Sequence, residues 1–308
     1  MGIRFRSYKN ESDYEAIRTL IMRKFENPEL RFYPSLGDLD YIRAMEEEDN
    51  TFQENVTICE IENGKVIGAI WPGFYRILYC VTGLEYAHLE DEILDWAEQR
   101  YCGPSLEDRT GEEVYIWGYE EDTLRTGILK ARGYSKHTWY MYSGVKDLQN
   151  QITSPNFPKG YMARPILPQD IEQKAEIMGV SAGLGIPKME KYRRLMDRPT
   201  YRKELDLVVV DQNDQVVAFA NIWHDVHNHI AIIEPFGTKE SHRRKGLATN
   251  LLYESMERLK ELGLSKLYIN HGGLWTLDPE PDDALRVYTK VGFKELGKMF
   301  VWCKSCQV

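Results

Sequence analysis

The sequence predicts two α/β domains in tandem, and three observations lead there. Its 308 residues exceed what one core of ordinary size needs and suit two. Strand-length apolar runs alternate with helix-period segments, and their order starts again after the polar, proline-bearing stretch Asp147 to Gly160 (DLQNQITSPNFPKG). Short segments also match at equivalent places in that order. Lys130-Ala131-Arg132-Gly133-Tyr134 lines up with Thr289-Lys290-Val291-Gly292-Phe293, and Lys65-Val66-Ile67-Gly68-Ala69 with Gln215-Val216-Val217-Ala218-Phe219. The expected domains are residues 1–152 and 153–308.

In the first half, Ile3 to Tyr8 alternate like a strand, and Asn10-Glu11-Ser12-Asp13 supplies capping groups for a helix carrying Ile17, Leu20 and Ile21. A second helical stretch surrounds Tyr41 to Glu47. Strands Val56–Glu60 and Lys65–Trp71 flank Glu62-Asn63-Gly64, a hairpin signal, and Arg76–Val81 is a third apolar run. The helix Leu89–Tyr101 sets Leu89, Ile93, Trp96 and Ala97 on one face. Strand Glu113–Gly118, a helix near Leu124–Ala131 and strand Trp139–Val145 close the set.

The second half repeats the series. Tyr161–Ile166 reads as a strand, and Gln169–Met178 and Met189–Met196 read as helices. A hairpin follows, Leu207–Asp211 and Gln215–Trp223, around Gln212-Asn213-Asp214. After the central strand and a long helix ending at Leu262 come strand Lys266–Asn270, helix Asp283–Lys290 and strand Leu296–Cys303.

The chemistry concentrates between Ile230 and Ala248, IAIIEPFGTKESHRRKGLA. A buried strand runs into a loop carrying Arg243, Arg244 and Lys245, and a helix opens at Gly246 with Leu251, Leu252, Met256 and Leu259 at helical spacing. The first amides of a helix have no partner within it, and the macrodipole adds positive charge there. Three cations and small side chains at that point make a seat for a pyrophosphate. Pro235 cannot donate to a ladder, so it marks a bulge or an edge.

Arg243-Arg244-Lys245-Gly246-Leu247-Ala248 resembles motif A, [Q/R]-x-x-G-x-[G/A], of the GNAT superfamily of N-acyltransferases. Ala284-Leu285-Arg286-Val287-Tyr288-Thr289-Lys290-Val291-Gly292-Phe293 is similar to that superfamily's A-x-x-x-Y-x-x-x-GF pattern. The shared order of elements matches its topology twice. The resemblance implies a mixed, mostly antiparallel sheet flanked by helices in each half, an acetyl-CoA donor, and transfer to a primary amine. It assigns the donor's phosphates to the turn Arg243, Arg244, Lys245 and Gly246 and to Leu247, Ala248 and Thr249 beyond it. Phe236, Gly237 and Thr238 would offer backbone groups to pantetheine and to the thioester oxygen as an oxyanion hole. Thr238 stands where the family usually has Val, and Pro281 where it often has Asn, with Asp282 or Asp283 as the alternative helix cap. Asn270 would contact donor or substrate. Tyr288, a phenol with an ordinary pKa near ~10, would protonate the leaving thiolate, and Glu234 would take the amine's proton directly or through water.

The first half lacks this chemistry. Between Val81 and Leu89 it reads TGLEYAH, without the basic cluster, and Glu85, Glu90 and Asp91 would repel a pyrophosphate. Leu129 stands where the second half has Tyr288. It is expected to be a degenerate copy that packs against the second.

A formal net charge of -9 argues against a general nucleic-acid binder. No apolar run reaches the ~18 residues of a membrane span, and the polar start MGIRFRSYKNESD does not suit a signal peptide. Five scattered cysteines, Cys303-x-x-Cys306 among them, read as reduced thiols in a cytoplasmic protein. His224-Asp225-Val226-His227-Asn228-His229 has metal-like spacing, yet it falls where a hairpin must turn, so no metal is expected. The expected partners are a small-molecule or peptide amine acceptor and at most a second copy, as monomer or homodimer. A non-catalytic acyl-CoA-binding or regulatory protein is the alternative. A nucleotide-binding protein is disfavoured, since G-x-x-x-x-G-K-[S/T] does not occur.

Overall fold

The computed structural model describes residues 2–26, 34–46, 51–104, 112–181, 189–271 and 283–306. The chain divides into two compact units, the first Met1–Met141 with Gly297–Val308 and the second Tyr142–Leu296.

In the first unit, strands β1 (Ile3–Ser7), β2 (Thr57–Ile61), β3 (Val66–Pro72) and β4 (Leu78–Thr82) form an antiparallel series. Helices α1 (Glu11–Glu26), α2 (Leu36–Glu46) and α3 (Thr51–Asn55) lie between β1 and β2 in sequence. After α4 (Glu90–Tyr101) and the two-residue β5 (Gly103–Pro104) comes β6 (Glu112–Tyr119), which meets β4 in parallel at Leu78 and Ile116. Helix α5 (Thr123–Ala131) begins at Asp122, whose carboxylate accepts from the Arg125 amide and so satisfies an open helix N–H. Ile93, Leu94 and Ala97 of α4 and Leu129 of α5 fill the core over Cys59, Ile67, Ile70 and Ile116.

The second unit repeats the design. Strands β8 (Met162–Pro165), β9 (Asp206–Val210), β10 (Val216–Asp225) and β11 (Ile230–Thr238) are antiparallel neighbours, and β11 pairs in parallel with β12 (Lys266–His271). Helices α6 (Ile171–Ser181), α7 (Met189–Met196), α8 (Leu247–Glu261) and α9 (Asp283–Lys290) complete it. Leu247, Leu251, Leu252, Met256 and Leu259 are buried along one side of α8, the face their spacing predicts, against Ala231, Ile233, Leu267 and Ile269. A mixed, mostly antiparallel sheet flanked by helices is thus present in each unit.

The last strand of each unit differs from the expectation. Strand β7 (Ser135–Asp147) contributes residues 142–147 to the second unit, where they pair with β12, His271 opposite Tyr142 and Lys266 opposite Asp147. Strand β13 (Lys294–Ser305) contributes Met299 to Ser305 to the first unit, antiparallel to β6. Each half of the sequence therefore closes the other's sheet, and the unit boundaries fall at 141/142 and 296/297 rather than at 152/153. Alternating apolar residues mark a strand but do not say which edge it joins.

A second correction concerns the cysteines. Cys102 and Cys306 form a disulfide, Cα atoms 6.3 Å apart across 204 residues of sequence, while Cys59, Cys80 and Cys303 take part in no disulfide. Five thiols are expected from spacing alone, whereas the C-terminal strand returns to the first unit and brings Cys306 to Cys102. Among the described residues, no helix is long and apolar enough to cross a membrane. The histidine-rich segment makes the turn between β10 and β11, with Asn228 donating from backbone and side chain to the Asp225 carboxylate.

Candidate active site

The parallel pair β11 and β12 is paired from Ile230–Lys266 to Ile233–Ile269. Beyond Ile233, among the described residues, β11 pairs only on its other side. There Ala220 faces Phe236 and Ile222 faces Ile233, so Glu234 and Pro235 together oppose Asn221 alone. That is a bulge at the residue type that cannot donate a ladder hydrogen bond. It turns β11 aside from β12 and opens a fork in the sheet. The Trp223 indole donates to the Glu234 carbonyl at the same point.

Past the fork the chain turns through a short 3-10 segment, Glu240–His242, into Arg243. Arg244 and Gly246 both adopt left-handed φ, 61° and 80°. A Cβ on Gly246 would find room, its nearest neighbour being 3.7 Å away, so the positive φ is what calls for glycine. Gly246 is the N-cap of α8 and no side chain caps that end. The first-turn amides thus face outward with exposed Arg243, Arg244 and Lys245 beside them. Arg243 is steadied by donating to the Thr238 carbonyl at 3.3 Å, and Lys245 donates to the Tyr161 hydroxyl at 3.0 Å.

A cavity of about 530 Å³ lies in front of this end, walled by Phe236, Gly237, Thr238, Arg243, Arg244, Gly246, Leu247, Ala248 and Thr249 together with His242, Ala284, Arg286, Val287 and Lys290. Nine of the residues singled out in the sequence are in that wall. Lys245 is not, being turned toward Tyr161, and Glu234, Asn270 and Tyr288 stand at the fork instead. Burial, and secondarily Lys245, keeps the His242 imidazole below its ordinary pKa, so this wall residue favours the neutral form. The Thr238 hydroxyl oxygen is shielded from solvent and makes no hydrogen bond among the described residues.

Tyr288 is buried on α9, its ring 6.1 Å from that of Phe236 and 5.6 Å from that of Phe293. A further neighbour, missed in the sequence, is His271 at the end of β12. Its ring lies 5.0 Å from Tyr288 and stacks on Tyr142 at 5.3 Å. The strand period of two, counted one residue past Asn270, would have put it on the face of Leu267 and Ile269. Asn270 lies on the opposite face, where its amide oxygen accepts from the Ser143 hydroxyl at 2.7 Å. Alternation places Glu234 on that face as well, opposite to buried Ile233. Pro281 and Asp282, weighed for the start of α9, lie outside the described residues.

The equivalent place in the first unit is filled. Arg125, buried on α5, pairs with buried Glu90 at the start of α4 and donates to the carbonyls of Cys80 on β4 at 2.7 Å and Trp117 on β6 at 3.4 Å. Helix α4, like α8, has no side-chain cap, but where the second unit has a left-handed glycine, exposed cations and a fork, the first has a buried carboxylate and guanidinium.

Residues 182–293 match the profile of the family described as Acetyltransferase (GNAT) family. No curated protein matches the chain by sequence. Among solved structures the fold is similar to a GCN5-related N-acetyltransferase from Sphaerobacter thermophilus, with TM-score 0.65, 16% identity, and 99% of this chain and 96% of that one covered. It is similar to a tandem GNAT protein from the clavulanic acid biosynthesis pathway, with TM-score 0.63, 12% identity, and 100% and 99% covered. It is also similar to Saccharomyces cerevisiae N-myristoyltransferase, solved with bound myristoyl-CoA, with TM-score 0.60, 11% identity, and 99% and 79% covered.

Proposed function

We propose, for a chain whose residues 182–293 carry a domain of the acetyltransferase (GNAT) family, that it transfers an acetyl group from acetyl-CoA to a primary amine, using the second unit alone. The observation that carries this reading is the uncapped α8 N-terminus, with Gly246 left-handed and Arg243 and Arg244 lining the cavity in front of it. A pyrophosphate there meets amide donors and cations together, while the fork between β11 and β12 leaves backbone groups for pantetheine.

In this reading the acetyl carbonyl sits by Phe236, Gly237 and Thr238, whose backbone polarises it. Glu234, with Asn270 on the same face, takes the proton of the incoming amine. Tyr288 gives its phenol proton to the sulfur as the carbon–sulfur bond breaks. The first unit binds no donor, because Arg125 and Glu90 already occupy the corresponding place.

Calorimetric titration with acetyl-CoA, free CoA and ATP tests the site. Micromolar binding of both CoA species and none of ATP is expected. Gly246→Ala should weaken CoA roughly five- to thirtyfold as the turn relaxes out of its left-handed conformation, which costs a residue with a side chain about 1–2 kcal/mol. Absence of CoA binding would overturn the reading. Release of free thiol with a panel of amines separates an enzyme from an acyl-CoA-binding regulator, which would bind the donor and release nothing.

A further inference from the structure

We propose that His271 is the proton partner of Tyr288, acting through the phenol rather than on the substrate. The inference rests on the acyl-transfer reading of the second unit. His271 lies two positions past Ile269, the last residue of β12 that pairs with β11, so it shares the face of Ile269 at the mouth of the fork. Its half-buried ring contacts two tyrosines, stacked on Tyr142 at an interplanar angle of 22° and set against Tyr288 at 45°. Tyr142 is its direct cross-strand partner, so the backbone ladder fixes that stack. Ile269 and Tyr288 belong to one core, which fixes the other contact.

The sheet separates two proton tasks. On one face stand Glu234 and Asn270, suited to the amine. On the other stand Tyr288 and His271, suited to the sulfur. As the tetrahedral adduct collapses, the carbon–sulfur bond breaks and the thiolate takes the Tyr288 proton. The amide nitrogen releases its proton to Glu234. The phenolate left behind recovers a proton from the His271 imidazolium, which becomes neutral. Water then returns a proton to His271 and takes one from Glu234, so charge and protons balance. Tyr288 is buried, so its phenolate has little water to draw a proton from, and the half-buried imidazole beside it has an ordinary pKa suited to that task.

The test uses the full chain, acetyl-CoA and an accepted amine, comparing His271→Ala, His271→Gln, Tyr288→Phe and the double variant His271→Ala/Tyr288→Phe. His271→Ala and His271→Gln should each lower kcat at least tenfold, with CoA affinity within twofold of the parent protein. The double variant should be no slower than Tyr288→Phe alone, because the two groups act as one unit. Imidazole in the buffer should restore part of the His271→Ala rate and none of the Tyr288→Phe rate. Unchanged kcat in His271→Gln, or losses that multiply in the double variant, would overturn the proposal. A parent protein that neither binds CoA nor turns over would instead overturn the reading beneath it.

Discussion

Single residues divide sharply into those legible from sequence and those set by the fold. Gly246 and Arg243 belong to the first class, because the local pattern already places a glycine turn and an exposed cation at the start of α8. His271, Lys24 and Lys174 belong to the second. Lys174 is fully buried on α6, where its ammonium meets Asp206, the Tyr192 hydroxyl at 2.6 Å and the Asn221 amide oxygen at 3.1 Å, partners from three other parts of the second unit. No local pattern reports such a set. Lys24 gives a test at this scale. Burial, with nearby Arg125 second, lowers its pKa from 10.5 to about 8. Between those two values the unfolded chain holds a proton that the folded chain has released, so this lysine makes stability rise with pH. Its cost is fully present below pH 8 and relieved toward pH 10.5, a span of roughly 3 kcal/mol. Urea unfolding of the parent and of Lys24→Met at pH 7, 8, 9 and 10 should show the variant's stability advantage shrinking as pH rises. A pH-independent difference would contradict the burial argument.

At the scale of elements, periodicity performed well where burial is one-sided. The helices Met189–Met196 and Asp283–Lys290 have the expected limits, and of the bulge or edge expected at Pro235 it is the bulge that appears in the register of β10 against β11. The fork follows from that bulge, so the framework of the proposed donor site was readable from one proline between apolar runs. Helix α3 and the short β5 were not expected, because five and two residues carry too little period to register. The Cys102–Cys306 bond was equally invisible, since it depends on β13 lying along β6. Thiol counting on the denatured, unreduced protein should find three reactive groups, Cys59, Cys80 and Cys303, and tryptic mapping should recover one peptide pair joined through Cys102 and Cys306. Five reactive thiols in freshly purified protein would show that the pair stays reduced where the chain folds.

For the whole molecule, the duplication was legible and its closure was not. The polar linker suggested a cut at 152/153, but each unit takes its last strand from the other half of the sequence. The strand at the C-terminus is integral to the first unit. Val301 and Trp302 are buried there, and a Cβ on Gly118 of β6 would come within 2.6 Å of the Trp302 indole nitrogen, so strand and sheet are fitted to each other. Residues 142–147 serve β12 in the same way, with Gly144 facing Ile269 closely enough that a Cβ would lie 3.0 Å from it. Cutting at 152/153 leaves the first fragment without its β6 partner and the second without its β12 partner. It exposes a strand edge in each, and the first fragment also loses the apolar surface of Val301 and Trp302. Fragments 1–152 and 153–308 expressed separately should therefore aggregate or lack a cooperative thermal transition. Co-expressed, they should purify as a 1:1 complex that binds CoA. Fragment 153–308 folding alone as a monomer, with the parent's affinity for CoA, would mean that β12 needs no strand beyond β11 and that the exchange is dispensable to the site.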